Sequence, residues 1–259
     1  MTTAERFLEE LNPPQRRAVE QTEGPLLVLA GAGSGKTRVI AHRIAYLIAR
    51  KGIVPGQILA VTFTNKAAGE MRERVIELLG PRGRGVWVGT FHSACVRMLR
   101  QHADRIGYAK NFQIYDTADQ LAVIKEGMKA LQLDPERYRP SALLGRISWA
   151  KNHLVAPAAF QDEASFGVER AAARLYPWYA ERLRREQAMD FDDLLLNAVR
   201  LFDEQPAVLA LYQERLRYLL IDEFQDTNPV QYRWVRLLTA RQQNLCVVGD
   251  DDQSIYRFR

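Results

Sequence analysis

Cysteine is nearly absent, with two residues, Cys95 and Cys246, in a chain of 259. So far apart in sequence, they offer neither a disulfide framework nor the close ligand spacing of a zinc site, and a reducing cytoplasmic setting is expected. Long apolar runs are absent too. None approaches the ~20 residues of a membrane span, and Met1-Thr2-Thr3-Ala4-Glu5-Arg6 lacks the apolar core of a secretion signal. No membrane partner is expected. The chain has no internal repeat, low-complexity tract or flexible linker. Nor is there a large charge excess: the net charge is +5, with 47% hydrophobic and 26% charged residues. That is ordinary globular material, enough for one large domain or two small ones. The basic excess gathers in one stretch, at Arg72, Arg74, Arg82, Arg84, Arg97, Arg100 and Arg105. Such a cluster permits a polyanion partner and equally fits a solvated face.

What is present begins at residues 25–37. The apolar run Pro25-Leu26-Leu27-Val28-Leu29 leads into Ala30-Gly31-Ala32-Gly33-Ser34-Gly35-Lys36-Thr37. A buried strand followed by a glycine-rich loop ending in Gly-Lys-Thr is the phosphate cradle of nucleotide hydrolases. The glycines let backbone N–H groups turn toward an anion, Lys36 reaches the β- and γ-phosphates, and the Thr37 hydroxyl ligates Mg²⁺. A helix is expected next, with Val39, Ile40, Ile44, Leu47 and Ile48 on one face and Gly52 past its end. Ala30 stands where the general pattern opens with glycine.

Strands are predicted at Leu26 to Ala30, Ile58 to Phe63, Val86 to Gly89, Tyr218 to Ile221 and Leu245 to Gly249, alternating with helical patterns. This is the signature of an α/β fold, a parallel sheet with helices on both faces, whose ligands bind at the carboxyl ends of the strands. Between Gly107 and about Asp190 strand-like runs give way to helical ones, such as Ala118 to Leu131 and Val168 to Gln187. A helical subdomain inserted into the α/β domain is therefore expected: 1–107 and 190–259 form the one, 108–189 the other. Pro177 is expected to kink or split its helix.

Residues 219–228 read Leu-Leu-Ile-Asp-Glu-Phe-Gln-Asp-Thr-Asn, a strand delivering two adjacent carboxylates. Asp222 is suited to hold Mg²⁺ and Glu223 to polarise an attacking water. After the last strand, Gln253 is suited to contact the γ-phosphate. Tyr256 and Phe258 are rings for base stacking or for the core, with Arg259 nearby for phosphate. Two further loops carry hydroxyls and an aromatic at a helix start: Phe63-Thr64-Asn65-Lys66 and Thr90-Phe91-His92-Ser93. They fit nucleic-acid contacts, while Thr64 and Thr90 equally fit helix caps. His92 is read as a polar contact without catalysis. The carboxylates of Asp190, Asp192 and Asp193 fit a polar helix start better than a nuclease site.

Together these segments resemble superfamily 1A DNA helicases of the UvrD, PcrA and Rep type, over essentially the whole chain. Leu11-Asn12-Pro13-Pro14-Gln15-Arg16 resembles the family's adenine-reading Q motif. Residues 30–37 resemble motif I, including its first alanine. The Phe63 loop is similar to motif Ia, the Phe91 loop to motif Ib, Asp222-Glu223-Phe224-Gln225 to motif II, and Gln253 to Arg259 to motif III. Met189 to Leu194 resembles the return from the helical 1B insertion. The resemblance implies a RecA-like domain 1A carrying domain 1B, with ATP and Mg²⁺ as cofactors. It further implies single-stranded DNA and single/double-strand junctions as partners, 3′–5′ movement, and a second RecA-like domain downstream. It implies nucleotide contacts from Gln15, Ala30, Gly31, Ala32, Gly33, Ser34, Gly35, Lys36, Thr37 and Arg38, metal contacts from Thr37 and Asp222, and a base at Glu223. Gln253 would couple γ-phosphate to DNA, and Phe63, Tyr256 and Phe258 would line base pockets.

The sequence ends at Arg259, just after motif III. The family's motifs IV to VI, with the arginines that reach the γ-phosphate, have no match here. The parent is expected to be an ATP-dependent helicase of repair or replication, and this piece to hydrolyse ATP very slowly without unwinding DNA. The alternatives are a stand-alone ATP- and DNA-binding half-motor and the helicase core of a helicase–nuclease.

Overall fold

The computed structural model describes residues 7–31, 33–164 and 166–250. Contacts divide the chain into two compact units. One comprises Met1–Ala94, Pro206–Thr227 and Val235–Arg259, the other Cys95–Gln205 and Asn228–Trp234. The stretch 108–189 lies inside the second.

Numbered along the chain, the elements are α1 (Pro13–Glu20), β1 (Leu26–Leu29), α2 (Lys36–Ala49), β2 (Ile58–Thr62), α3 (Asn65–Leu79), β3 (Trp87–Thr90) and α4 (Phe91–His102). There follow β4 (Gln113–Tyr115), α5 (Thr117–Ala130), α6 (Pro140–Asn152), α7 (Pro157–Glu163), α8 (Gly167–Arg185), β5 (Ala188–Asp190) and α9 (Phe191–Glu204). The last are α10 (Pro206–Arg215), β6 (Tyr218–Ile221), α11 (Pro229–Thr239) and β7 (Leu245–Gly249).

All five predicted strands form, and they make one parallel sheet in the order β1-β7-β6-β2-β3. Period-two alternation sorts their side chains. Ile58 and Ala60, Tyr218 and Leu220, and Cys246 and Val248 face a core closed by Ile40, Ile44 and Leu47 of α2 and by Met71 and Val75 of α3. Each such large apolar side chain is worth about 1.5–3 kcal/mol on full burial. β1 is the exception: Leu26 and Val28 pack on this core, but Leu27 and Leu29 are each 57% exposed. Because every strand runs the same way, the loops after β1, β2, β3, β6 and β7 all leave the same edge of the sheet.

The starts of the helices follow from local chemistry. Asn12 and Gln15 exchange side-chain and backbone hydrogen bonds around Pro13 to open α1. The Thr64 hydroxyl accepts from the Ala67 N–H at 3.1 Å and caps α3. Thr90 and Ser93 trade hydrogen bonds across the start of α4, the Ser93 N–H donating to the Thr90 hydroxyl at 3.2 Å. Part of the basic stretch is structural: Arg72 donates to the Val88 carbonyl at 2.7 Å, and Arg100 lies 3.8 Å over the Phe112 ring while donating to its carbonyl. Both cysteines are buried and free.

The second unit packs α5, α6, α7 and α8 around Ile124, Leu143, Ile147, Leu175, Tyr176 and Tyr179. Gly127 lets α5 and α8 approach closely, since a Cβ there would sit 2.5 Å from both Leu175 and Trp178. α8 runs from Gly167 to Arg185 without splitting at Pro177. Proline leaves the Ala173 carbonyl without its helical donor, and the Gln161 side-chain amide on α7 supplies one at 3.2 Å. β4 and β5 form a two-stranded parallel pair that the sequence did not announce. Asp190 caps α9 in a reciprocal box with Asp193, the polar helix start expected for these carboxylates.

Candidate functional site

The loop after β1 is held at both ends. The Ala30 N–H donates to the Gly249 carbonyl of β7 at 3.1 Å. Gly33 and Gly35 have φ of +73° and +85°, the left-handed region that glycine enters without penalty. Gly35 is the N-cap of α2 and brings no side-chain cap, so the N–H groups of the first turn stay available to an anion. The Gln15 amide donates to the Ser34 carbonyl at 2.8 Å, tying α1 to the loop. Its Nε2 lies 2.9 Å from where a Cβ on Gly35 would stand. Arg43 fixes α2 from below by donating to the carbonyls of Ala18, Gln21 and Thr22. Arg38 is paired with Glu10 at 3.1 Å. Ala32 lies outside the described residues.

Two side chains leave the start of α2 toward acidic partners. Lys36 donates to the Ala30 carbonyl at 3.0 Å and to Asp250 Oδ2 at 2.9 Å. Thr37 donates to Asp222 Oδ2 at 2.9 Å. Asp222 follows β6 and is buried, which pushes its carboxyl above the usual range while the Thr37 hydroxyl pulls the other way. Its second oxygen accepts from the Glu223 N–H at 3.1 Å. A hydroxyl and a carboxylate with hard oxygen donors fit Mg²⁺ in its usual protein setting, one or two carboxylates plus substrate phosphates. Glu223 has φ of +53°, a conformation rare for a residue with a side chain and commonest where a site imposes it. Gln225 joins two of these loops: its amide donates to Glu223 Oε2 at 2.7 Å and accepts from the Asp250 N–H at 3.1 Å. Asp250 and Gln225 were not singled out from the sequence. The available signal was an acidic loop at the carboxyl end of the strand beside β1.

Of the residues expected at nucleic acid, Phe63 is half-buried, while Asn65 and Lys66 are exposed. Thr64 is exposed and Thr90 buried, and both hydroxyls serve as caps. Phe91 differs from expectation. Its ring is only 1% exposed and meets Phe63 edge-on at 5.5 Å, so it braces the Phe63 ring and does not itself present a stacking face. His92 is half-buried. Gln253, Tyr256, Phe258 and Arg259 lie outside the described residues. Among the described residues no helix is long and apolar enough to cross a membrane.

The model of the UvrD/REP helicase N-terminal domain family matches residues 11–259. Over 253 residues the chain is 53% identical to the ATP-dependent DNA helicase PcrA of Bacillus subtilis, covering 98% of this chain and 34% of that one. It is 50% identical over the same length to the protein of that name from Staphylococcus aureus, covering 98% and 35%. The chain therefore spans about a third of the length of these curated relatives. With the phosphate-type loop, the paired carboxylates and a match over nearly its whole length, the chain belongs to the UvrD/REP helicase N-terminal domain family.

Proposed function

We propose that this chain is the N-terminal motor half of an ATP-dependent 3′–5′ DNA helicase, acting in the cytoplasm on single strands and single/double-strand junctions during repair or replication. The observation that carries the reading is the meeting of the glycine loop, Lys36, Thr37, Asp222 and Glu223 at one edge of the sheet. The loop and the N-terminus of α2 bind the phosphates, and Gln15 reads the adenine from α1. Thr37 and Asp222 would hold Mg²⁺, which neutralises developing phosphate charge when bound. Glu223, held by Gln225, receives the proton of the attacking water. Gln253 senses the γ-phosphate, and Phe63, Tyr256 and Phe258 stack single-stranded bases.

The half-motor has a built-in limit. Arginines of a downstream second RecA-like domain would complete the site, and such a finger is worth on the order of 10³–10⁵ in rate. That outweighs a general base, typically ~10²–10⁴. This chain alone should bind nucleotide weakly, hydrolyse it slowly and not unwind duplex. Titration with a fluorescent ATP analogue tests the site: Lys36→Ala and Asp222→Asn should each weaken Mg²⁺-dependent binding at least ~10-fold. Binding indifferent to both substitutions would sink the assignment. Robust DNA-stimulated ATPase from residues 1–259 would sink the half-motor limit alone.

A further inference from the structure

The ammonium of Lys36 is already committed. It holds Asp250 Oδ2 at 2.9 Å and the Ala30 carbonyl at 3.0 Å. Both side chains of the ion pair are buried, Lys36 to 8% exposure and Asp250 to 3%. With so little water, neither charge leaves its partner unless another charge replaces it. Asp250 is also fixed through its backbone, since its N–H donates to Gln225 Oε1 at 3.1 Å. The residue before it, Gly249, is packed tightly: a Cβ there would come within 3.0 Å of the same Gln225 oxygen. The carboxylate is thus aimed at Lys36 by the end of β7.

Resting on the phosphate-site reading above, we infer that Asp250 competes with nucleotide phosphate for Lys36 and so sets how tightly, and for how long, nucleotide is held. The third hydrogen of the ammonium can meet a phosphate oxygen, but the hydrogen held by Asp250 is withheld from it. Phosphate gains its full contact with Lys36 only as Asp250 gives way. When product leaves, Asp250 takes the ammonium back, which favours release. Asp250 is a positioning residue here, acting on phosphate through Lys36.

The test is a double-mutant cycle read by binding of N-methylanthraniloyl-ADP with Mg²⁺, up to millimolar nucleotide. Asp250→Asn keeps the shape and removes the competing charge. It should tighten binding about tenfold, with a correspondingly slower dissociation in a chase experiment. In a Lys36→Met background the same substitution should change binding less than ~2-fold, because the carboxylate then has no ammonium to withhold. Unchanged or weaker binding by Asp250→Asn would overturn the inference. So would an equal gain without Lys36, which would mean simple through-space repulsion of phosphate. A wild-type chain that binds no nucleotide at all would instead bring down the phosphate-site reading.

Discussion

Lys151 offers a sharp test of how the second unit is held together. It sits on α6, 1% exposed, with its Nζ 2.7 Å from Asp190 Oδ2 and 2.7 Å from Asp193 Oδ1. The Tyr179 hydroxyl donates to Asp190 at 2.9 Å. One ammonium thus serves two buried carboxylates that together cap α9. Lys151→Met keeps most of the volume and removes the charge. Stripping one partner from a buried ion pair costs about 3–5 kcal/mol, a large share of the ~5–15 kcal/mol that holds a typical domain folded. Denaturant unfolding at pH 8 should show that loss, and a loss below ~1 kcal/mol would refute the reasoning. The pH dependence gives a second check. Burial and the neighbouring Asp190 charge push Asp193 up to about 7, above its unfolded value, so its contribution favours the fold at lower pH and fades as pH rises from about 4 to 7. Asp190 is held below its usual value by Lys151, so its contribution is present above about pH 4 and lost on acidification. Lys151 is raised well above its usual value by both carboxylates, and its contribution is lost only in strong alkali. Without Lys151 both carboxylates take up protons more readily. The deficit of Lys151→Met should therefore shrink between pH 8 and pH 5.5, and a deficit independent of pH would count against the cluster.

Other substitutions probe separate points. Gln161→Ala leaves the Ala173 carbonyl without a donor and should cost about 1–3 kcal/mol by denaturant unfolding; in a Pro177→Ala background the restored N–H should remove most of that cost. Phe63→Ala and Phe258→Ala should weaken single-strand binding by ~1–3 kcal/mol per lost stack while leaving nucleotide affinity nearly unchanged, and equal losses of both would indicate misfolding. Phe91→Ala should destabilise the fold by about 3–5 kcal/mol, because its ring is core.

The sheet was legible because its strands are short runs of Val, Ile and Leu bounded by polar loops, a pattern that buried parallel strands must show. The loops of the site were legible because glycine-rich and acidic segments end those strands. β4 and β5 were not, since three residues each, Gln-Ile-Tyr and Ala-Met-Asp, carry no period. The donor that meets the Ala173 carbonyl below Pro177 is Gln161, a partner that helical periodicity cannot reveal. Phe91 reads as a loop aromatic, yet its burial is decided by how the start of α4 packs. The Lys36–Asp250 pair joins residues 214 apart, and only the neighbouring places of β1 and β7 in the sheet bring them together.

β1 lies at the border of the sheet with Leu27 and Leu29 turned to water. Parallel strands are normally clothed on both faces, and an open apolar border is a template for another chain's strand. In a concentrated preparation of residues 1–259, this strip is where sticking should begin. Acidic replacements at 27 and 29 should improve shelf life and colloidal behaviour. The phosphate loop, which begins at the next residue, would keep its anchor through the Ala30 hydrogen bond to Gly249.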